Sequence, residues 1–170
     1  MKSTVAVPPG YYAAIVVREE GQMVAERFEQ VVAHLEQARA RWVVMHDHYA
    51  RFCERSMDME DAGCAAKGII PKRIGDDLYV QYLDRRLRIS FGFDRISDRG
   101  ILCIDDLSAV GLYDGHNPVR IETILFDGAG DLDVVDADGS SLSLSDPAYA
   151  IQLALGIVDA AIDQNPWKVS

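Results

Sequence analysis

Nine apolar residues, Val24, Phe28, Val31, Leu35, Ala38, Trp42, Met45, Tyr49 and Phe52, follow one another at spacings of four and three without a break. A strand would scatter such a series over both faces. An α-helix, at 3.6 residues per turn, gathers it into one stripe. No Pro or Gly interrupts residues 22–55, so the spacing predicts one long amphipathic helix there. Water is a poor neighbour for such a stripe, and the first question is what covers it.

A parallel two-stranded coil is one answer. With Phe28, Leu35, Trp42 and Tyr49 at the central positions, the flanks hold Arg27, His34, Arg39, Arg41, His46 and His48. In an in-register dimer His34 would face Arg39 and Arg41 would face His46, pairs that repel once histidine is protonated. Trp and Tyr are also bulky for a two-stranded seam. The expectation is therefore that the stripe packs on a sheet of its own chain. Leu35→Ala should then cost about 2–5 kcal/mol, the usual range for truncating a buried Leu.

A sheet is written downstream. Leu87, Ile89, Phe91 and Phe93 alternate with Arg88, Ser90 and Gly92, a half-buried strand. Residues 78–83 precede it across a turn and complete a hairpin. Further strands are expected at 101–104, 119–126, 132–135 and 141–144. The separators Asp127-Gly128-Ala129-Gly130 and Asp136-Ala137-Asp138-Gly139 are turn chemistry. Links this short force antiparallel neighbours, because a parallel crossover takes a dozen or more residues.

Residues 56–77, with Gly63, Gly68, Pro71 and Gly75, read as a connection with a short helix near 58–66. Residues 11–17, rich in Val, Ile and Tyr, read as a short strand rather than a helical extension. Ser145-Asp146-Pro147 opens a last helix over about 147–163, apolar almost all round and therefore buried. The predicted fold is a single α+β domain over 1–170. An antiparallel meander of five or six strands carries the long N-terminal helix and the buried C-terminal helix on one face.

Charge narrows the function. The chain has 17 Lys+Arg against 27 Asp+Glu, a net charge of −10. Residues 1–55 and 56–93 each balance, so the whole excess lies in residues 94–170. An acidic protein repels nucleic-acid phosphates and anionic membranes unless a basic stripe overrides its field. The densest basic cluster, Arg85, Arg86 and Arg88, sits at the hairpin turn beside Asp84 and reads as solvated. No nucleic acid or membrane partner is expected. The run at 11–17 is too short for a span of about 20 residues. Three cysteines, Cys53, Cys64 and Cys103, and no recognisable leader fit a reducing cytoplasm.

Candidate sites are few. Asp127, Asp131, Asp133, Asp136 and Asp138 place five carboxylates in a short stretch, and oxygen donors suit hard cations. No register supplies the EF-hand spacing, so metal-free turns are expected. Val134-Val135-Asp136-Ala137-Asp138-Gly139-Ser140 superficially resembles the first motif of the haloacid-dehalogenase phosphatases, where two carboxylates follow a buried strand. The downstream motifs of that family have no counterpart here, and its roles are not carried over. His46, His48 and Cys53 invite zinc, but only His46 and Cys53 share a helix face, and two ligands are too few. Cys103 within Ile-Leu-Cys-Ile reads as core, as does Cys53, with Cys64 the accessible one. His116, between Gly115 and Asn117, reads as a loop residue. Phosphate-cradling glycine loops are absent. No catalytic residue, cofactor or metal is expected.

Three functions remain open. The first is a non-enzymatic protein-binding or adaptor module, working through its sheet face or acidic C-terminal half. The second is a small enzyme or ligand-binding domain with a pocket between helix and sheet. The third rests on analogy: acidic secretion chaperones are similar in size, acidity and helix–strands–helix order. A homodimer is expected from the prevalence of two-fold dimers and from open sheet edges, though not as an in-register zipper of residues 24–52.

Overall fold

The structure, a computed structural model, describes residues 9–64, 67–108, 118–135, 139 and 141–163. The first helix, α1 (Pro9–Met57), is followed by a short kinked turn (Glu60–Cys64) in which Gly63 takes φ +80°. Seven strands come next: β1 (Ile69–Ile74), β2 (Asp77–Tyr82), β3 (Arg85–Asp94), β4 (Arg99–Asp106), β5 (Val119–Phe126), β6 (Asp131–Val135) and β7 (Ser141–Ser143). Helix α2 (Pro147–Asp163) ends the series. By its contacts the chain divides into two compact units, Met1–Ala40 and Arg41–Ser170, and α1 runs through both.

In the second unit the strands pair antiparallel in chain order, β1 to β7. The α+β meander is thus as expected, with seven strands instead of five or six. The additional strand is β1, inside the stretch read as a connection. Pro71 misled that reading. Proline cannot donate to a ladder, yet an edge strand tolerates it, and β1 is the edge, with Pro71 opposite Val80. Residues 11–17 also differ from expectation: they belong to α1. Their β-branched composition is a weak preference that helical context overrides.

One face of the sheet is the core. Leu78 and Val80 of β2, Leu87 and Ile89 of β3, Leu102 and Ile104 of β4, and Ile124 and Phe126 of β5 are all buried. Register lines them up: Leu78 faces Ile89, which faces Ile104. Helix α1 contributes Met45, Tyr49, Phe52 and Cys53 to this core, and α2 contributes Leu153, Ala154, Ile157, Val158 and Ala161. Gly100, opposite Phe126, is required by packing, since a Cβ there would lie 2.2 Å from the Phe126 ring.

The described part of the first unit, taken by itself, is the N-terminal length of α1. Val24, Phe28, Val31 and Leu35 are 56–68% exposed there. The expectation that the whole stripe is core is therefore corrected. Only Met45, Tyr49 and Phe52 are buried, and Trp42 stands between, 41% exposed but stacked on His46 at 4.7 Å and edge-on to Phe91. Periodicity states which residues share a face. It does not state how far along that face a covering surface extends.

Candidate functional site

The outer face of the sheet carries charge in a ladder. Tyr79, Arg88, Asp105 and Arg120 stand opposite one another across β2 to β5. Asp105 is buried, with Arg88 Nη2 donating to its Oδ2 over 2.8 Å and Arg120 Nε donating to Oδ1. Burial alone would raise the Asp105 pKa. The two arginines outweigh that effect and hold the carboxyl below the usual range. Arg85 pairs likewise with Asp106 at 2.6 Å. Arg85 and Arg88 are thus strand residues whose charge is used on β4, rather than a solvated turn. Arg99 pairs with Asp133, and Arg41 of the stripe's flank pairs with Asp98 in the acidic stretch.

The carboxylate run resolves into turn and ladder chemistry. Asp127 Oδ1 accepts the backbone N–H groups of Ala129 and Asp131 at 2.9 and 3.0 Å, a turn in which Gly130 takes φ +89°. Asp133 is spent on Arg99, and Asp131 lies exposed in β6. Asp136 and Asp138 lie outside the described residues. Among the described residues no three His, Cys, Asp or Glu groups converge as a metal site.

His46, His48 and Cys53 are not brought together. His46 is in the aromatic stack with Trp42, Phe91 and Tyr49. His48 turns the other way: its Nε2 donates to the Gly128 carbonyl at 3.1 Å, and its Nδ1 is 2.9 Å from Ser145 Oγ. Ser145 Oγ also donates to the Ala129 carbonyl at 2.7 Å. His48 thereby joins α1 to the β5–β6 turn and to the lead-in of α2. Cys53 is fully buried, and burial pushes its thiol up to about 11, which suppresses the nucleophilic thiolate. The other two cysteines reverse their expected roles: Cys64 is buried and Cys103 is half-buried on the outer face. Strand alternation places Cys103 opposite Leu102 and Ile104, and this was available in the sequence. His116 lies outside the described residues.

The remaining candidate is the exposed stripe of α1. Val24, Phe28, Val31 and Leu35 lie on one helical face, because their spacings of four and three advance almost one turn each. Arg27 and His34 border it on one side and Arg39 on the other, while Glu26, Glu29 and Glu36 lie further round the helix. Among the described residues Arg27 and Arg39 make no ion pair. The site is thus an apolar strip with basic edges. Sequence reasoning found these residues and misassigned their cover.

No helix among the described residues is long and apolar enough to cross a membrane. Comparison with protein-family models, with curated proteins and with solved structures finds no match.

Proposed function

We propose that this chain is a non-enzymatic protein-binding module whose docking surface is the stripe Val24, Phe28, Val31 and Leu35 of α1. The observation that carries the reading is the exposure of these four large apolar side chains, each more than half open to solvent, on one helical face. A contiguous apolar strip of this kind marks a surface that gains free energy by being covered. The sheet's outer face is a poorer surface for this purpose, because Arg85, Arg88 and Arg120 already have carboxylate partners.

The edges specify the occupant. Arg27, His34 and Arg39 beside the strip favour an amphipathic partner helix with acidic edges, laid along it in helix-on-helix fashion. A second copy would bring the same basic edges to the seam, so self-pairing through this strip opposes like charges. The expected homodimer is then assigned to another surface.

Two synthetic helical peptides with the same apolar strip, one edged with Glu and one with Lys, test the reading by fluorescence anisotropy. The Glu-edged peptide should bind, weaken several-fold as salt is raised, and be lost with Leu35→Glu. Equal binding of both peptides, or of neither, contradicts the assignment. Concentration-dependent self-association abolished by Leu35→Glu would give the strip to a second copy instead.

A further inference from the structure

We infer that the second unit holds an aliphatic small molecule with a hydrogen-bond-donating, non-anionic head, in the cavity between α2 and the core face of the sheet. This is a separate site from the α1 stripe and stands on different observations.

The cavity has a volume of about 450 Å³. Small-molecule pockets typically span about 300–1,000 Å³, and an engineered apolar cavity of about 150 Å³ already takes up benzene. Its walls are Ile104, Ile124, Val134 and Leu142 from the strands and Leu153 and Ile157 from α2. Such walls hold no water well, because a buried water needs two to four polar partners.

Two local features open the space. The first is a bulge. Register between β4 and β5 shifts after Ile104, so that Asp105 pairs with Arg120 while Ile104 pairs with Glu122. Ile121 is the extra residue, and a bulge re-aims side chains that strict alternation would send to opposite faces. Both Ile121 and Glu122 line the cavity. The second feature is Gly156 in the middle of α2. Glycine costs a helix interior about 1 kcal/mol relative to alanine. No close neighbour requires it here, since a Cβ at Gly156 would meet nothing within 4 Å. Exposed like Gln152, Gly156 lies at the rim, and its missing side chain leaves the mouth open.

Charge selects the head group. Among the described residues the polar groups in the lining are Glu122 and Gln152, both exposed and hence at the mouth. Glu122 Oε1 accepts the Thr123 backbone N–H, which anchors its carboxylate. On the other side of Gly156 a second hollow, about 410 Å³, has Asp159 at its wall. Each hollow thus has a carboxylate in its lining, and Glu122 is the one at the mouth of the apolar cavity. A fatty-acid anion is disfavoured by like charge, whereas a hydroxyl, amide or ammonium head finds acceptors.

Calorimetry with decan-1-ol, decylamine and decanoate, each below its aggregation threshold, tests the inference on the full chain. The alcohol and the amine should bind and raise the unfolding temperature by mass action, with decanoate at least tenfold weaker. Gly156→Leu should obstruct the mouth and weaken the alcohol at least tenfold while the unfolding temperature of the free protein holds or rises. Glu122→Gln, an exposed change that folding tolerates, should bring decanoate to within a few-fold of the alcohol. Binding of none of the three, equal binding of decanoate by the unaltered protein, or undiminished binding by a folded Gly156→Leu would each overturn it.

Discussion

The hydroxyl of Tyr49 donates to the carbonyl of Ile89 over 2.7 Å, inside the core. One bond ties the stripe of α1 to strand β3. It also explains how a phenol is tolerated at a fully covered position, since a buried hydroxyl needs a partner. Burial drives the Tyr49 pKa well above its ordinary value, so the proton that makes the bond stays in place at any working pH. Tyr49→Phe keeps the ring against Phe91, 5.7 Å away, and removes only the donor. Its expected cost is about 1 kcal/mol by urea unfolding, the usual net value of one hydrogen bond. A loss above about 3 kcal/mol would mean that the ring itself has moved.

Asp105 between Arg88 and Arg120 makes a pH-dependent contribution. Its folded pKa lies below its ordinary value of 3.8, so its stabilisation is fully present above that value and is lost as pH falls through the lowered one. Asp105→Asn leaves two guanidinium groups without their carboxylate. Because both arginines are partly solvated, the loss at pH 7 should be about 1–3 kcal/mol rather than the full cost of an orphaned buried charge. The gap between the two proteins should close as pH falls below 3.8 and Asp105 protonates. A gap that stays constant down to pH 2 would show that the carboxylate's charge is not what matters.

The three thiols should separate by reactivity. Cys103, half-buried on the outer face beside Arg120, should react with a thiol reagent in the native protein at pH 8. Cys53 and Cys64 are buried and should wait for denaturant. Cys103→Ser should remove the fast phase. A fast phase that survives this change and vanishes with Cys64→Ser contradicts the placement of the connection after α1.

How far the sequence led is best seen element by element. Helix α2 was legible at its start, because Ser145-Asp146-Pro147 is start chemistry and the apolar run behind it has no other use. Strands β2 to β7 were legible from alternation and from Asp-Gly turns. β1 was not, because its Pro71 carries the same signal as a loop unless the strand is known to be an edge. The turn role of Asp127 followed from composition, whereas the pairing of Asp105 with residues of two other strands is a fact of register that no local window contains. The stripe was the clearest pattern in the chain and also the most misleading. Val24 and Phe52 obey one rule of spacing, and only the three-dimensional structure separates the residue that is 67% exposed from the one that is fully buried.

The central claim is that this single stripe does two jobs, offering a surface before residue 40 and forming core after residue 44. Urea unfolding of Leu35→Ala and Phe52→Ala, measured side by side, tests it most directly. The account predicts a change below about 0.5 kcal/mol for Leu35→Ala, the range of an exposed substitution, and a loss of about 3–5 kcal/mol for Phe52→Ala. A loss of about 2–5 kcal/mol at Leu35, matching a buried leucine, would return the whole stripe to the core and contradict the docking surface.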